Sequence, residues 1–282
     1  MSFIVPRAQF VAELRAPFAL VGGRPVVLHT NTTALGVIER PKPRAQLLAD
    51  HWSALEEAAE GAPLILPTFN YDYCRTGRYS VADDPCQVGV LNEYVRAAHP
   101  LARTRTPVFN FVIPDNPGFR TDLVDNPFGP GSLFAELVER DGYVAFVGAG
   151  IESNTFIHYV EERHGIGYRY LKDFAGAVYG PDGSAEELVF HYRVRPMEPG
   201  AVDYDWPRLT ADLRERGILR DHQVGRGVVM TFSATALLEH WGEQLRRDEY
   251  FLLTPESRRI TEKLAATHGY PLTVENLELN NA

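Results

Sequence analysis

The residues best able to do chemistry lie in one stretch, Val147 to Glu162, reading VGAGIESNTFIHYVEE. His158 follows Asn154 by four residues and Glu161 follows His158 by three, so on a helix all three share one face near its start. An imidazole with a pKa near ~6.5 is suited to taking a proton at neutral pH. A carboxylate within reach of the ring fixes its tautomer and stabilises the imidazolium. Gly148 and Gly150 let the chain turn sharply, and unpaired N–H groups at a glycine turn or helix start can stabilise an oxyanion. The same pattern also fits a plain strand–glycine–helix junction with a hydrogen-bonded structural histidine. G-x-G without its third glycine is weak evidence for a dinucleotide. Two other chemistries fit less well. His158, Glu161 and His164 form neither H-E-x-x-H nor H-x-x-E-H, and positions six apart on a helix diverge in angle. Cys74 or Cys86 as nucleophile requires a thiolate beside His158, whereas a free cysteine is more often inert.

Several elements must position this stretch. Tyr143 to Val147 is a short apolar run that reads as a buried strand, followed by a helix capped by Ser153 or Asn154. Upstream, residues 7–20 have helical spacing stopped by Pro17, and Gly22-Gly23 turns the chain into a β-type run, Pro25 to Leu28, ending at His29. Residues 44–60 form the clearest amphipathic helix, and Leu64 to Leu66 a second buried strand ending in Pro67-Thr68-Phe69. Residues 70–87 read as an irregular functional loop. Its Asp72, Asp83 and Asp84 could receive ammonium groups, and its Tyr71, Tyr73 and Tyr79 could stack on sugar faces. A helix starts near Glu93 and another spans 132–140. Alternating runs in 164–196 predict antiparallel strands turning at Pro181-Asp182-Gly183. Helices over 207–217 and 233–247 flank a strand over 225–230.

The whole chain bounds these readings. At 282 residues it can form one large domain or two modest ones, with ordinary hydrophobic (45%) and charged (23%) content. A net charge of −9 argues against nucleic acid as main partner and is compatible with a cationic substrate. Two cysteines make no disulfide framework and no cysteine-based zinc site. The N-terminus lacks the pattern of a secretory signal, and no apolar run approaches the ~20 residues that span a bilayer. A cytoplasmic location is expected.

The pattern G-x-G-x-x-x-N-T-x-x-H-x-x-E, Gly148 through Glu161, resembles the defining segment of the aminoglycoside 3-N-acetyltransferases, acetyl-CoA enzymes unrelated in fold to the GNAT acetyltransferases. Further matches are the strand-end His29-Thr30-Asn31-Thr32, Pro67-Thr68-Phe69, the Gly89 to Glu93 segment and Pro127-Phe128-Gly129. The resemblance covers roughly residues 10–250. It implies an α/β fold with a central mixed sheet flanked by helices, as one acyltransferase unit over 1–282. It implies acetyl-CoA as donor and no metal. Catalysis would fall to His158 as base, with Glu161 and Asn154. His29, Thr30, Asn31, Thr32, Thr68, Phe69 and Thr155 would lie along the cofactor.

Tyr71, Asp72, Asp84, Glu93 and Asn110 would meet the substrate, a small-molecule amine. No nucleic acid or membrane is expected as partner, and a homodimer stays open. One departure stands out: Thr106-Pro107 occupies the place where the family reads His-Pro. The expected reaction is direct acetyl transfer to an amine of an amino sugar, with aminoglycoside resistance as the alternative. Arg75, Arg78, Arg103 and Arg105 are candidates for coenzyme phosphates by number alone. Their mixture with carboxylates suits an acceptor bearing both an amine and a negative group, with poor activity expected on 2-deoxystreptamine aminoglycosides.

Overall fold

The computed structural model describes residues 4–279; the first three residues of the stretch read for a leader, and residues 280–282, lie outside the described residues. The chain begins β1 (Ile4–Val5), α1 (Arg7–Val21), β2 (Val26–Thr30), β3 (Val37–Ile38), α2 (Arg44–Ala59) and β4 (Leu64–Pro67). Next come α3 (Tyr73–Thr76), β5 (Arg78–Ser80), α4 (Val90–Ala98), β6 (Phe111–Val112), α5 (Leu133–Glu139) and β7 (Tyr143–Val147). The remainder holds α6 (Phe156–His164), β8 (Tyr170–Tyr179), β9 (Ala185–Val194), α7 (Trp206–Glu215), β10 (Arg220–Val224), β11 (Gly227–Ser233), α8 (Ala234–Arg247) and α9 (Pro255–His268).

Six strands form the central sheet in the order β10-β11-β7-β2-β4-β6. β7, β2 and β4 run parallel, while β11 and β6 are antiparallel to their neighbours, so the sheet is mixed. Its parallel centre is apolar on both faces because helices cover both. Side chains alternate along β2. Val26 and Leu28 pack with Phe10, Leu14, Trp52 and Leu55 of α1 and α2, while Val27 joins Phe146, Phe134, Phe156 and Val160 on the other face. By the same alternation His29 falls on the second face and stacks on Phe146, ring centroids 5.2 Å apart. A second sheet, β5-β8-β9, carries the antiparallel hairpin read from 164–196, with Gly183 at φ 80° in its turn.

Some local expectations yield to packing. Pro17 does not stop α1, which runs on to Val21 and ends at left-handed Gly22. An interior proline costs about 3 kcal/mol. Burying Phe18 and Val21 beyond it offsets that, at roughly 1.5–3 kcal/mol for each such side chain. The 70–87 segment is not irregular, since α3 and β5 lie within it and β5 pairs with β8. Tyr73 and Tyr79 are buried anchors there, donating to the carbonyls of Leu188 and Thr104. Gly225 and Arg226 form the turn between β10 and β11 rather than the start of a strand. No described helix is long and apolar enough to cross a membrane.

Candidate active site

Because β2, β4 and β7 are parallel, their carboxyl ends, Thr30, Pro67 and Val147, meet at one edge of the sheet, where open α/β sheets place ligands. The chain leaves β7 through Gly148, whose φ is 70° and where a Cβ would come within 2.5 Å of the Asn31 carbonyl oxygen. Glycine is required there both by conformation and by the close approach of the segment that follows β2. A short 3-10 turn, Ile151–Ser153, follows, so α6 starts only at Phe156. Asn154 therefore precedes the helix instead of sharing a face with His158 and Glu161. It is buried and its side-chain oxygen accepts from the Phe156 N–H at 3.1 Å, ordering the entry to α6.

His158 and Glu161 do meet. The ring Nδ1 lies 2.9 Å from Glu161 Oε2. The carboxylate is the acceptor, so Nδ1 carries the proton and Nε2 keeps its lone pair for chemistry. Three residues that sequence spacing did not single out complete the support. Tyr168 and Tyr204 each donate to Glu161 Oε1 at 2.8 Å. Arg169 Nε stands 3.0 Å from Glu161 Oε2, and its Nη2 donates to Tyr204 at 2.7 Å. Phe128 sits edge-on to the imidazole, 5.4 Å between centroids.

The electrostatics follow from burial. The Glu161 side chain is 1% exposed. Burial alone would raise its pKa, but the Arg169 charge and the hydrogen bonds from His158 and Tyr204 hold it at about 2. Burial lowers the pKa of His158, and Arg169 lowers it further, against a partial rise from Glu161. The ring is therefore neutral at pH 7 although it sits on a carboxylate, and its side chain keeps 27% exposure toward a cleft. Burial raises both phenols, Tyr168 and Tyr204, well above the usual value, so they remain donors.

A long trough runs along the strand ends. Its outer part, about 350 Å³, is lined by Thr32, His51, Arg44 and Arg226; its middle part, about 810 Å³, by Thr30, Asn31, Arg44 and Glu93. The inner part, about 280 Å³, holds His29, Thr30, Phe69, Tyr71, Glu152 and Thr155. Shared residues Arg44 and Thr30 join the three. Burial holds His29 at about 4, hence neutral, and its buried Nε2 has no partner. A separate cleft of about 570 Å³ is lined by His158, Arg169, Tyr192, Arg195, Asp203, Tyr204 and Trp206. Thr155 and His158 lie one helical turn apart, so the start of α6 stands between trough and cleft.

Other expected site residues lie elsewhere. Thr68 and Asn110 are fully buried and hydrogen-bond each other at 2.8 Å, so neither touches cofactor or substrate space. Arg103 joins them, buried, donating to Asn110 Oδ1 and to the carbonyls of Thr68, Val81 and Asp84. It braces the chain beneath the trough and is no phosphate ligand. Arg105 pairs with Glu186, Arg75 with Asp72, and Arg78 lies over Tyr179. Asp72 also accepts from Gln87, and Asp84 from the Ser80 N–H, so both close their own loop and line neither trough nor cleft. Asp83 accepts from the Ser80 hydroxyl in the same turn. Glu93 lines the trough, not the cleft, and is held by Arg96 at 2.7 Å. Thr106 is buried and lines neither.

Neither cysteine stands by the imidazole. Cys74 Sγ lies 3.6 Å from the Tyr192 hydroxyl, and Cys86 Sγ 2.8 Å from the Val88 carbonyl oxygen. Burial raises both thiols, Cys86 to about 11, so neither is a thiolate at neutral pH. Cys74→Ala and Cys86→Ala are each expected to retain most activity. An acetyl-cysteine trapped at either position, together with ping-pong kinetics, would contradict this.

The family model described as aminoglycoside 3-N-acetyltransferase matches residues 28–246. No curated protein matches the sequence. Among solved structures, aminoglycoside acetyltransferase AAC(3)-Xa superposes with a TM-score of 0.65 at 20% identity, covering 89% of this chain and 94% of that one. AAC-IIIb in binary complex with CoASH gives 0.68 at 17% identity over 89% and 99%. AAC-VIa bound to sisomicin gives 0.63 at 17% identity over 86% and 98%. At these identities the likeness is one of fold.

Proposed function

The chain belongs to the aminoglycoside 3-N-acetyltransferase family, and we propose that this N-acetyltransferase acylates an amine of an amino sugar by direct transfer, with His158 as general base. The observation that carries the reading is the His158–Glu161 pair at the start of α6: Glu161 holds Nδ1, and within one turn Thr155 lines the trough and His158 the cleft, so both spaces border the same base.

The trough fits coenzyme A. Among the described residues the Arg226 side chain donates to the carbonyls of Thr33 and Ala34, and neither it nor Arg44 has a carboxylate partner, which leaves two cations for phosphates. The neutral groups further in, Thr30, Asn31 and the orphaned His29 Nε2, suit the amides of a pantetheine arm. Bound acetyl-CoA supplies the activated acyl group as a thioester. His158 takes the proton of the attacking amine as the C–N bond forms and returns it to the departing sulfur as the C–S bond breaks. Glu161 steadies the imidazolium, and Arg169, Tyr168 and Tyr204 keep Glu161 ionised and fixed.

An aminoglycoside is the alternative acceptor, favoured by the family's own description and by neighbours bound to sisomicin and apramycin. The test is acceptor-dependent thiol release from acetyl-CoA over a panel of sugar amines. The Arg44→Ala/Arg226→Ala double variant is expected to bind acetyl-CoA about 10-fold more weakly, with a shallower salt dependence. Calorimetry checks this, and unchanged affinity would remove both arginines from the donor site.

A further inference from the structure

We infer that the acceptor carries an anionic group beside its amine and that Arg195 binds this anion; the inference rests on the reading of His158 as the base for acetyl transfer. Most charged side chains around this cleft are neutralised within the protein. Glu161 takes up the charge of Arg169, Arg193 pairs with Glu162 at 2.9 Å, and Arg208 with Asp205 at 3.2 Å. Arg195 and the Asp203 carboxylate are different. Both line the cleft of His158, and among the described residues neither makes an ion pair or side-chain hydrogen bond, with each other or with anything else.

Both charges sit on held backbone. Arg195 directly follows β9 and precedes the buried Pro196. The Asp203 N–H donates to the Ser257 hydroxyl at 2.7 Å, and its carbonyl accepts from the Thr254 N–H at 2.9 Å. The cleft thus offers one free cation and one free anion around the base. An acceptor with several ammonium groups needs several carboxylates, and among the described residues only Asp203 lines this cleft unpaired. A zwitterion matches both charges: its ammonium approaches past Asp203, and its anion docks on the planar fork of Arg195. Tyr204 and Trp206, edge-on at 5.4 Å, supply flat walls for a ring between the two ends. The substrate class is therefore an amino sugar bearing a phosphate or a carboxylate.

The test uses the full-length protein, acetyl-CoA and four acceptors: glucosamine, glucosamine 6-phosphate, 2-amino-2-deoxyglucuronic acid and gentamicin. At least one anionic acceptor is expected to exceed glucosamine in kcat/KM by about 10-fold or more, with gentamicin below glucosamine. Which anionic acceptor leads identifies phosphate or carboxylate. Arg195→Gln should collapse the ratio of anionic to neutral acceptor toward one, chiefly through KM, and Arg195→Lys should restore part of it. Unchanged coenzyme A binding verifies that both variants are folded. Equal or lower kcat/KM for both anionic acceptors, a preference for gentamicin, or a ratio unmoved by Arg195→Gln overturns this proposal and leaves acetyl transfer standing. Thiol release with none of the four, while coenzyme A binds, overturns the transfer reading and this proposal with it.

Discussion

His158→Ala is expected to lose about 10²-fold or more in turnover while binding coenzyme A nearly as tightly as the parent protein. An alkylamine is mostly ammonium at neutral pH, so transfer waits on proton removal, and among the described residues His158, its Nδ1 held by Glu161, is the histidine that lines the cleft. The ring lines the acceptor cleft and not the trough, so its loss should spare donor affinity. A pH profile gives a second readout. Burial and the Arg169 charge place the His158 pKa below 6.5, so the acid limb of kcat/KM should fall below that pH and vanish in the variant. Unchanged turnover when chemistry limits the rate, or a limb unaffected by the substitution, would remove His158 from the role of base.

What the sequence revealed of this site follows from distance along the chain. Gly148 to Glu161 is contiguous, and a helical spacing of three brings His158 to Glu161 whatever the rest of the fold does. The strand ends at Thr30 and Pro67 were legible because buried apolar runs mark where strands stop, whereas the cofactor role of His29, Thr30 and Phe69 came from the family resemblance alone. Tyr204 was not, because it lies 46 residues beyond His158 and nothing in local spacing brings the two together. Arg169 carries no pattern of its own; only the buried carboxylate makes it informative. Polar type also misled. Thr68, Asn110 and Arg103 stand next to motif residues, yet they satisfy one another in the interior, which requires no ligand. The charges of residues 70–87 likewise serve to close α3 and β5 rather than to line a pocket.

Glu161 should produce the other large effect, on stability as well as rate. Its side chain is buried with Arg169, so Glu161→Ala leaves a guanidinium without its counter-charge, at a cost of about 3–5 kcal/mol. Glu161→Gln keeps the shape and can still accept from Tyr168 and Tyr204, so it should fold with a smaller loss in Tm. It nevertheless withdraws the charge that holds Nδ1 protonated and raises the His158 pKa. Turnover of Glu161→Gln is therefore expected to fall by about 10-fold or more, with the acid limb displaced to lower pH than in the parent. The pH dependence of stability has a definite sign. The folded pKa of Glu161, about 2, lies below its ordinary value of 4.5. A depressed carboxyl stabilises fully above the ordinary value, and its contribution disappears as pH falls from there toward the folded value. The parent should therefore lose stability more steeply than Glu161→Gln between about pH 4.5 and 2, so that the two unfolding curves converge in acid. Parallel curves across that window in denaturant titrations would mean that folding does not lower the Glu161 pKa.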